Sequence, residues 1–285
     1  MSTEREQREA VVLTTYWLPY LNLRKRHPLL PGARRIEAEA AFIGIGADEL
    51  MDARIRYDQA ARQAALEILQ DSDVIDLLHG APFGDRATIA AVGDSITEDA
   101  QGWFEILRHV LEIGTEGDYR FVNGAVWGNT SLDALRTFER DVISTKPDWV
   151  ILALGTMDAM RLHGAPTRCL VSLADYWENV SAMESMTAEI TRHPVLWVTP
   201  APVIATRMDE IGVFEGTVHE ADLRHVREVI SGKTGIIVDP YGRRMGAPVG
   251  EWHLGVDGLN HSVPGHVQTV KHLLQAMKAG IRTGS

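Results

Sequence analysis

The sequence predicts an α/β protein: a flavodoxin-like three-layer α/β/α sandwich on a five-stranded parallel sheet, preceded by a helical N-terminal extension. Three observations predict it. From residue 87 onward, short apolar runs alternate with amphipathic stretches. The runs are continuously apolar, as strands buried on both faces are, rather than alternating. Polar or glycine-rich segments follow several of them, at the strand ends where such sheets bind ligands.

Taken in order, residues 1–85 contain no clear buried strand. The stretch from Glu37 to Leu69 is rich in Ala, Leu, Ile, Glu and Arg, good helix formers. Leu50, Tyr57, Ala61, Ala65 and Ile68 line one face of it at helical spacing. Pro28 and Pro31-Gly32 break the segment before it, and Gly80–Gly84 punctuates its end. The division expected is therefore a helical extension over 1–85 and an α/β domain over 86–285. The strands of that domain are expected at 87–92, 119–123, 148–154, 194–199 and 235–238. Between and after them, Leu173, Trp177, Val180, Met183 and Ile190 share one helix face, and Val267, Val270, Leu274 and Met277 share another. Right-handed crossovers then give the layered sandwich. Two long connections, 200–216 and 239–256, follow expected strands and are expected to shape a site. Met208, Phe214, Trp252 and Leu254 would make its wall partly apolar.

Charge narrows the function classes. The formal net charge of -11 argues against sequence-independent nucleic-acid binding and against an anionic membrane surface. The single cysteine, Cys169, rules out an intrachain disulfide and a cysteine-based zinc site. No His-Glu-x-x-His or comparable ligand set occurs, so no metal and no other cofactor are expected. The charged N-terminus lacks the apolar core of a secretory signal, and no run reaches the length of a membrane span. A cytoplasmic protein is the expectation, with homo-oligomer formation through the N-terminal helices left open.

Four segments carry chemistry-bearing residues. Gly93-Asp94-Ser95-Ile96-Thr97 follows the first expected strand; its serine reads either as a helix cap or as a nucleophile on a tight turn. Asn123-Gly124-Ala125-Val126-Trp127-Gly128-Asn129-Thr130 follows the second, and reads either as a capped turn or as a backbone that approaches a ligand. Leu154-Gly155-Thr156-Met157-Asp158 follows the third, where a plain strand-to-helix turn is the simpler reading. Asp257-Gly258-Leu259-Asn260-His261 precedes the last helix. An Asp and a His there, with a serine far upstream, is what a serine hydrolase requires.

In order and spacing these four segments resemble the blocks of the SGNH (GDSL-type) hydrolases over about 190 residues, from 87 to the C-terminal helix. The resemblance does not extend to residues 1–85. It implies an esterase or acyl hydrolase acting on a small acyl ester, with Ser95 as nucleophile and a base oriented by Asp257. The backbone N–H groups of Ser95 and Gly128 would form the oxyanion hole. Asp94, Asn129, Met157 and Asp158 would complete the oxyanion and substrate-binding surroundings.

The sequence departs from the family pattern twice. Met157 stands where the third block has its oxyanion asparagine, and methionine offers no N–H. Asn129 and Arg161 are the compensating donors within reach in sequence. Asn260 stands where the family histidine falls, and His261 follows it. The expectation is that the loop shifts by one residue so that His261 acts as base, with His253 second. An acyltransferase or a non-hydrolytic ligand-binding protein on the same fold is the alternative that these departures favour.

Overall fold

The computed structural model describes residues 12–242 and 251–283. Its main sheet has five parallel strands in the order β2-β1-β3-β5-β7. These are β1 (Arg86–Gly93), β2 (Asp118–Asn123), β3 (Trp149–Ala153), β5 (Leu196–Val198) and β7 (Ile236–Val238). Five helices connect or flank them: Trp103–Gly114, Ser131–Asp141, Leu173–Ala188, Glu220–Ser231 and the terminal Val263–Thr283. The expected architecture is the one observed. Strand β1 is buried from Ile89 to Gly93 because helices cover both faces of the sheet.

The two faces bury different partners. On one, Ile89, Ala91 and Ile151 pack with Phe104, Leu107 and Leu111 and with Leu273, Leu274 and Met277 of the terminal helix. The N-terminal helix Ala47–Ile68 joins that same core through Ala61, Ala64, Ala65 and Ile68. Small alanines on its buried face let it lie close against its neighbours. On the other face, Ala90, Val92, Val150 and Leu152 pack with Phe138, Val180, Met183, Leu223 and Val226.

The regular elements within residues 12–78 are helices, but the stretch expected as one helix from Glu37 to Leu69 is two, Ile36–Phe42 and Ala47–Ile68. The break falls at Gly44, whose φ of +77° ends the first helix. The helix Leu173–Ala188 also differs from expectation. It buries Tyr176, Asn179, Val180, Met183 and Thr187, whereas Leu173 and Trp177 face solvent. Trp177 instead lies under the Lys233 ammonium, 5.2 Å from its ring centroid.

The connection 200–216 is more ordered than expected. It contains a helix, Ala205–Ile211, and leads into β6 (Gly216–Val218), which pairs antiparallel with β4 (Met160–Leu162). In the second long connection, residues 243–250 lie outside the described residues. No helix among the described residues is long and apolar enough to cross a membrane.

Candidate active site

The site forms at the carboxyl ends of β1, β2 and β3. Chain leaving β1 enters the short helix Ser95–Glu98, capped by Asp94, whose carboxylate accepts from the N–H of Ile96 at 3.0 Å. This cap places Ser95 at the first helical position, where backbone N–H groups are unsatisfied by the helix itself. Ser95 is buried. Its hydroxyl donates to Asn260 Oδ1 at 2.8 Å. Asn260 Nδ2 in turn donates to Asp257 Oδ2 at 2.8 Å. The other Asp257 oxygen accepts from the backbone N–H groups of Leu259 and Asn260, each at 2.9 Å.

The structure thus corrects the expected base: Asn260, not His261, faces Ser95. The turn carrying both residues is pinned and cannot slide by one position. Gly258 has φ +70°, its carbonyl accepts from Ile204 N–H at 2.8 Å, and a Cβ there would meet the Ile204 carbonyl at 2.6 Å. His261 forms an antiparallel bridge with Leu254, and in such extended chain successive side chains point to opposite sides. Its ring lies near Tyr241 and His266, and neither nitrogen has a hydrogen-bond partner among the described residues. Burial, helped by His266 and His253, holds its pKa well below the usual imidazole range. His253, the second choice, is buried with its ring edge-on to Tyr241.

An amide in this position reproduces only part of what imidazole does. Asp257 accepts, so it fixes Nδ2 toward itself and leaves Oδ1 for the serine hydroxyl. That is the donor and acceptor arrangement of a neutral histidine between Asp and Ser. An amide oxygen, however, does not take up a proton near neutral pH. Burial also raises the Asp257 pKa, against the lowering effect of its hydrogen bonds from Leu259 and Asn260.

The remaining expected residues divide. Gly128 has φ +75°, and nothing lies within 4 Å of where a Cβ would stand, so its backbone borders open space. Asn129 closes the turn beside it, its N–H donating to the Val126 carbonyl at 3.1 Å. Met157 is half-buried and packs against the second core, and offers no donor. Asp158 was expected at the substrate, but its carboxylate is spent on Ser131. It accepts from that residue's N–H at 3.0 Å and from its hydroxyl at 2.5 Å. Its burial pushes its pKa up to about 6. Its role is to tie the third block to the N-terminus of the helix Ser131–Asp141. Asp94 is likewise enclosed, and burial, with the nearby Asp158 charge adding to it, pushes its pKa up to about 7. Arg161 is not free to serve the oxyanion, because Asp222 holds its guanidinium by two bonds of 2.7 and 2.8 Å. Among the expected wall residues, Met208 is core and Leu254 is buried, Trp252 is exposed, and Phe214 packs beside Tyr16.

Sequence reasoning missed the contribution of the N-terminal segment. The Pro19 carbonyl accepts from Ala100 N–H at 3.0 Å, just after the helix Ser95–Glu98. Lys25 donates to Asn123 Oδ1 and to the Ala125 carbonyl at 3.1 and 2.9 Å, and pairs with buried Glu98 at 3.3 Å. Glu98 also accepts from the Trp127 N–H. Residues 17–27 and the Val126-Trp127 turn together line a pocket of about 190 Å³ that includes Trp17, Tyr20, Leu21, Phe42 and Trp127. The sequence signal was the aromatic run Tyr16-Trp17-Leu18-Pro19-Tyr20, too apolar for a solvated tail.

A buried serine at the carboxyl end of a parallel sheet, joined through an amide to a buried aspartate, defines an α/β protein with a serine-hydrolase-like centre. Residues 91–266 match the model of the GDSL-like Lipase/Acylhydrolase family, and the chain belongs to that family. Esterase TesA of Pseudomonas aeruginosa is 35% identical over 101 residues, 33% of this chain and 49% of that protein. An acetylxylan esterase of Geobacillus stearothermophilus is 31% identical over 99 residues, 30% of this chain and 45% of that protein. The chain thus spans about half the length of the curated relatives it matches. Among solved structures, a catalytic mutant of an acetylxylan esterase from Geobacillus stearothermophilus superposes with a TM-score of 0.54 at 21% identity, over 67% of this chain and 94% of that one. The lipase/acylhydrolase from Enterococcus faecalis gives 0.52 at 22% identity, over 68% and 96%. At that identity these two show a shared fold.

Proposed function

We propose that this chain is a carboxylic ester hydrolase that acts on a small acyl ester at Ser95 and turns it over slowly. The observation that carries this reading is the continuous bond path Ser95–Asn260–Asp257. It keeps the nucleophile oriented while leaving it without a proton acceptor of ordinary strength. The family and the esterase relatives support acyl chemistry at this serine. In the attack, the Ser95 oxygen adds to the acyl carbon while the N–H groups of Ser95 and Gly128 receive the oxyanion; the hydroxyl proton passes to the departing alcohol oxygen as the ester C–O bond breaks, and water then hydrolyses the acyl-serine to release the acid and restore the Ser95 hydroxyl. Asn260 holds the hydroxyl in line, and Asp257 holds Asn260. Removing the base from a well-studied serine protease costs on the order of 10⁶ in kcat, yet binding and the oxyanion hole retain 10³–10⁴ over water. A modest residual turnover is the expectation here. The pocket lined by Trp17, Phe42 and Trp127 suits a partly apolar substrate group.

A second reading, a protein that binds an acyl compound without turning it over, is favoured by Asn260 itself. Hydrolysis of short p-nitrophenyl esters by the wild type and by Ser95→Ala separates the two. The ester-hydrolase reading predicts that the wild type exceeds Ser95→Ala by about 10²-fold or more. Equal rates would overturn it in favour of binding.

A further inference from the structure

We infer that Tyr16 is a catalytic residue of this site: its hydroxyl donates to an oxygen of the bound acyl group, supplying the side-chain hydrogen bond that Met157 does not. The inference rests on the reading of Ser95 as the place where an acyl ester binds. Tyr16 lies in the helical turn Leu13–Trp17 and is only 4% exposed. Its hydroxyl is buried and has no hydrogen-bond partner among the described residues. A buried hydroxyl left unpaired is costly, and native proteins rarely retain one without a ligand or water to satisfy it. A phenylalanine would pack as well edge-on against Phe214, whose ring centroid lies 6.0 Å away. Packing therefore accounts for the ring and not for the hydroxyl.

Three observations place the Tyr16 segment beside the elements that carry the Ser95 site. Phe214, on which it packs, joins the same apolar cluster as Met157 and as Leu259, the residue before Asn260. Pro19, three residues on, is bonded to Ala100 beyond the helix Ser95–Glu98. The Asp257 carboxylate is close enough to raise the Tyr16 pKa, adding to the effect of burial. A phenol kept protonated is a donor across the physiological range. The family residue at position 157 would reach an oxyanion with an amide N–H; here that side chain is a thioether, and the N-terminal segment brings a hydroxyl in its place.

The test compares Tyr16→Phe with the wild type for hydrolysis of p-nitrophenyl butyrate. It also compares Ser95→Ala with the double variant Tyr16→Phe/Ser95→Ala for binding of the intact ester by calorimetry. The expected result is a kcat about 10-fold lower in Tyr16→Phe with KM changed less than about threefold, as for a bond strengthened in the transition state. Binding should be weaker by about threefold or more in the double variant. The Tm of Tyr16→Phe should be unchanged or higher, since an unpaired buried hydroxyl has been removed. If wild type and Ser95→Ala hydrolyse equally, the hydrolase reading fails, and the binding comparison still decides the role of Tyr16. Equal binding by Ser95→Ala and the double variant, or no binding by either, overturns the inference, as does a Tyr16→Phe chain that loses several degrees of Tm and keeps its kcat.

Discussion

Two buried polar paths meet at the carboxyl end of β1, and they are built differently. One is charged: Lys25 of the N-terminal segment, Glu98, Asn123 and the Ala125 carbonyl. The other runs through a neutral amide: Ser95, Asn260 and Asp257. The charged path closes on itself and ties the N-terminal segment to the first two family blocks. The path through Asn260 ends on the Ser95 hydroxyl. The difference teaches where this chain uses strong electrostatics. They are used to attach the N-terminal segment, while Ser95 is held through an amide that does not ionise.

Breaking the relay at its anchor should have the largest effect on the fold. Asp257→Ala strands three donors, the N–H groups of Leu259 and Asn260 and the Asn260 side chain. A loss of about 3 kcal/mol is expected in urea unfolding, since each orphaned buried donor keeps its desolvation cost. A loss below about 1 kcal/mol would show that the turn is held mainly by Gly258 and its neighbours. Next comes the anchor of the N-terminal segment. Lys25→Met leaves Glu98 buried without its cation; the Lys25 side chain retains 16% exposure, so about 2 kcal/mol is expected rather than the full cost of a buried pair. Proteolysis within residues 12–30 should speed up in that variant and not in Asp257→Ala, which distinguishes the two paths.

The last expected effect is on pH dependence, and it is the smallest for each unit of change, at most about 1.4 kcal/mol per pH unit. Asp94 has a folded pKa of about 7 against an ordinary carboxylate value near 3.8. The folded state therefore binds more protons than the unfolded chain between these values. The contribution of Asp94 to stability is fully present below about pH 4 and is lost as pH rises toward 7. Asp94→Asn retains the acceptor for Ile96 N–H and removes the titration. The difference in unfolding free energy between Asp94→Asn and wild type should move in favour of the variant from pH 4 to pH 7, by at most about 1.4 kcal/mol per pH unit. A difference that is flat with pH would contradict the raised pKa.

The parts legible in the sequence were those fixed by local pattern and burial. The run Ala87–Val92 had to be a strand covered on both faces, and Ser95 had to stand on the turn after it. Asp257 and the turn at Gly258 were equally visible. The choice between Asn260 and His261 was not, because neighbouring residues on a turn differ only in direction. That direction is set by distant contacts, the Ile204 bond to Gly258 and the bridge from Leu254 to His261. The pair β4 and β6 went unseen because Met160-Arg161-Leu162 and Gly216-Thr217-Val218 lack the continuous apolar run that marks the equally short β5 and β7. Tyr16 and Lys25 went unseen because their partners lie roughly 75 to 240 residues away in the chain. Leu173 and Trp177 misled because an apolar side chain at helical spacing can still face solvent, as Trp177 does beneath Lys233.

The central claim is that Asn260 orients Ser95 and withholds a base. The most direct measurement is the pH–rate profile of Asn260→His on a short p-nitrophenyl ester, with Tm recorded to establish folding. An imidazole there would keep both existing bond directions, to Ser95 and to Asp257, and add a proton acceptor. The account predicts a rise in kcat/KM of about 10²-fold or more, and a new rate dependence that falls off below about pH 6 to 7. A folded Asn260→His chain that is no faster than wild type at any pH would contradict it.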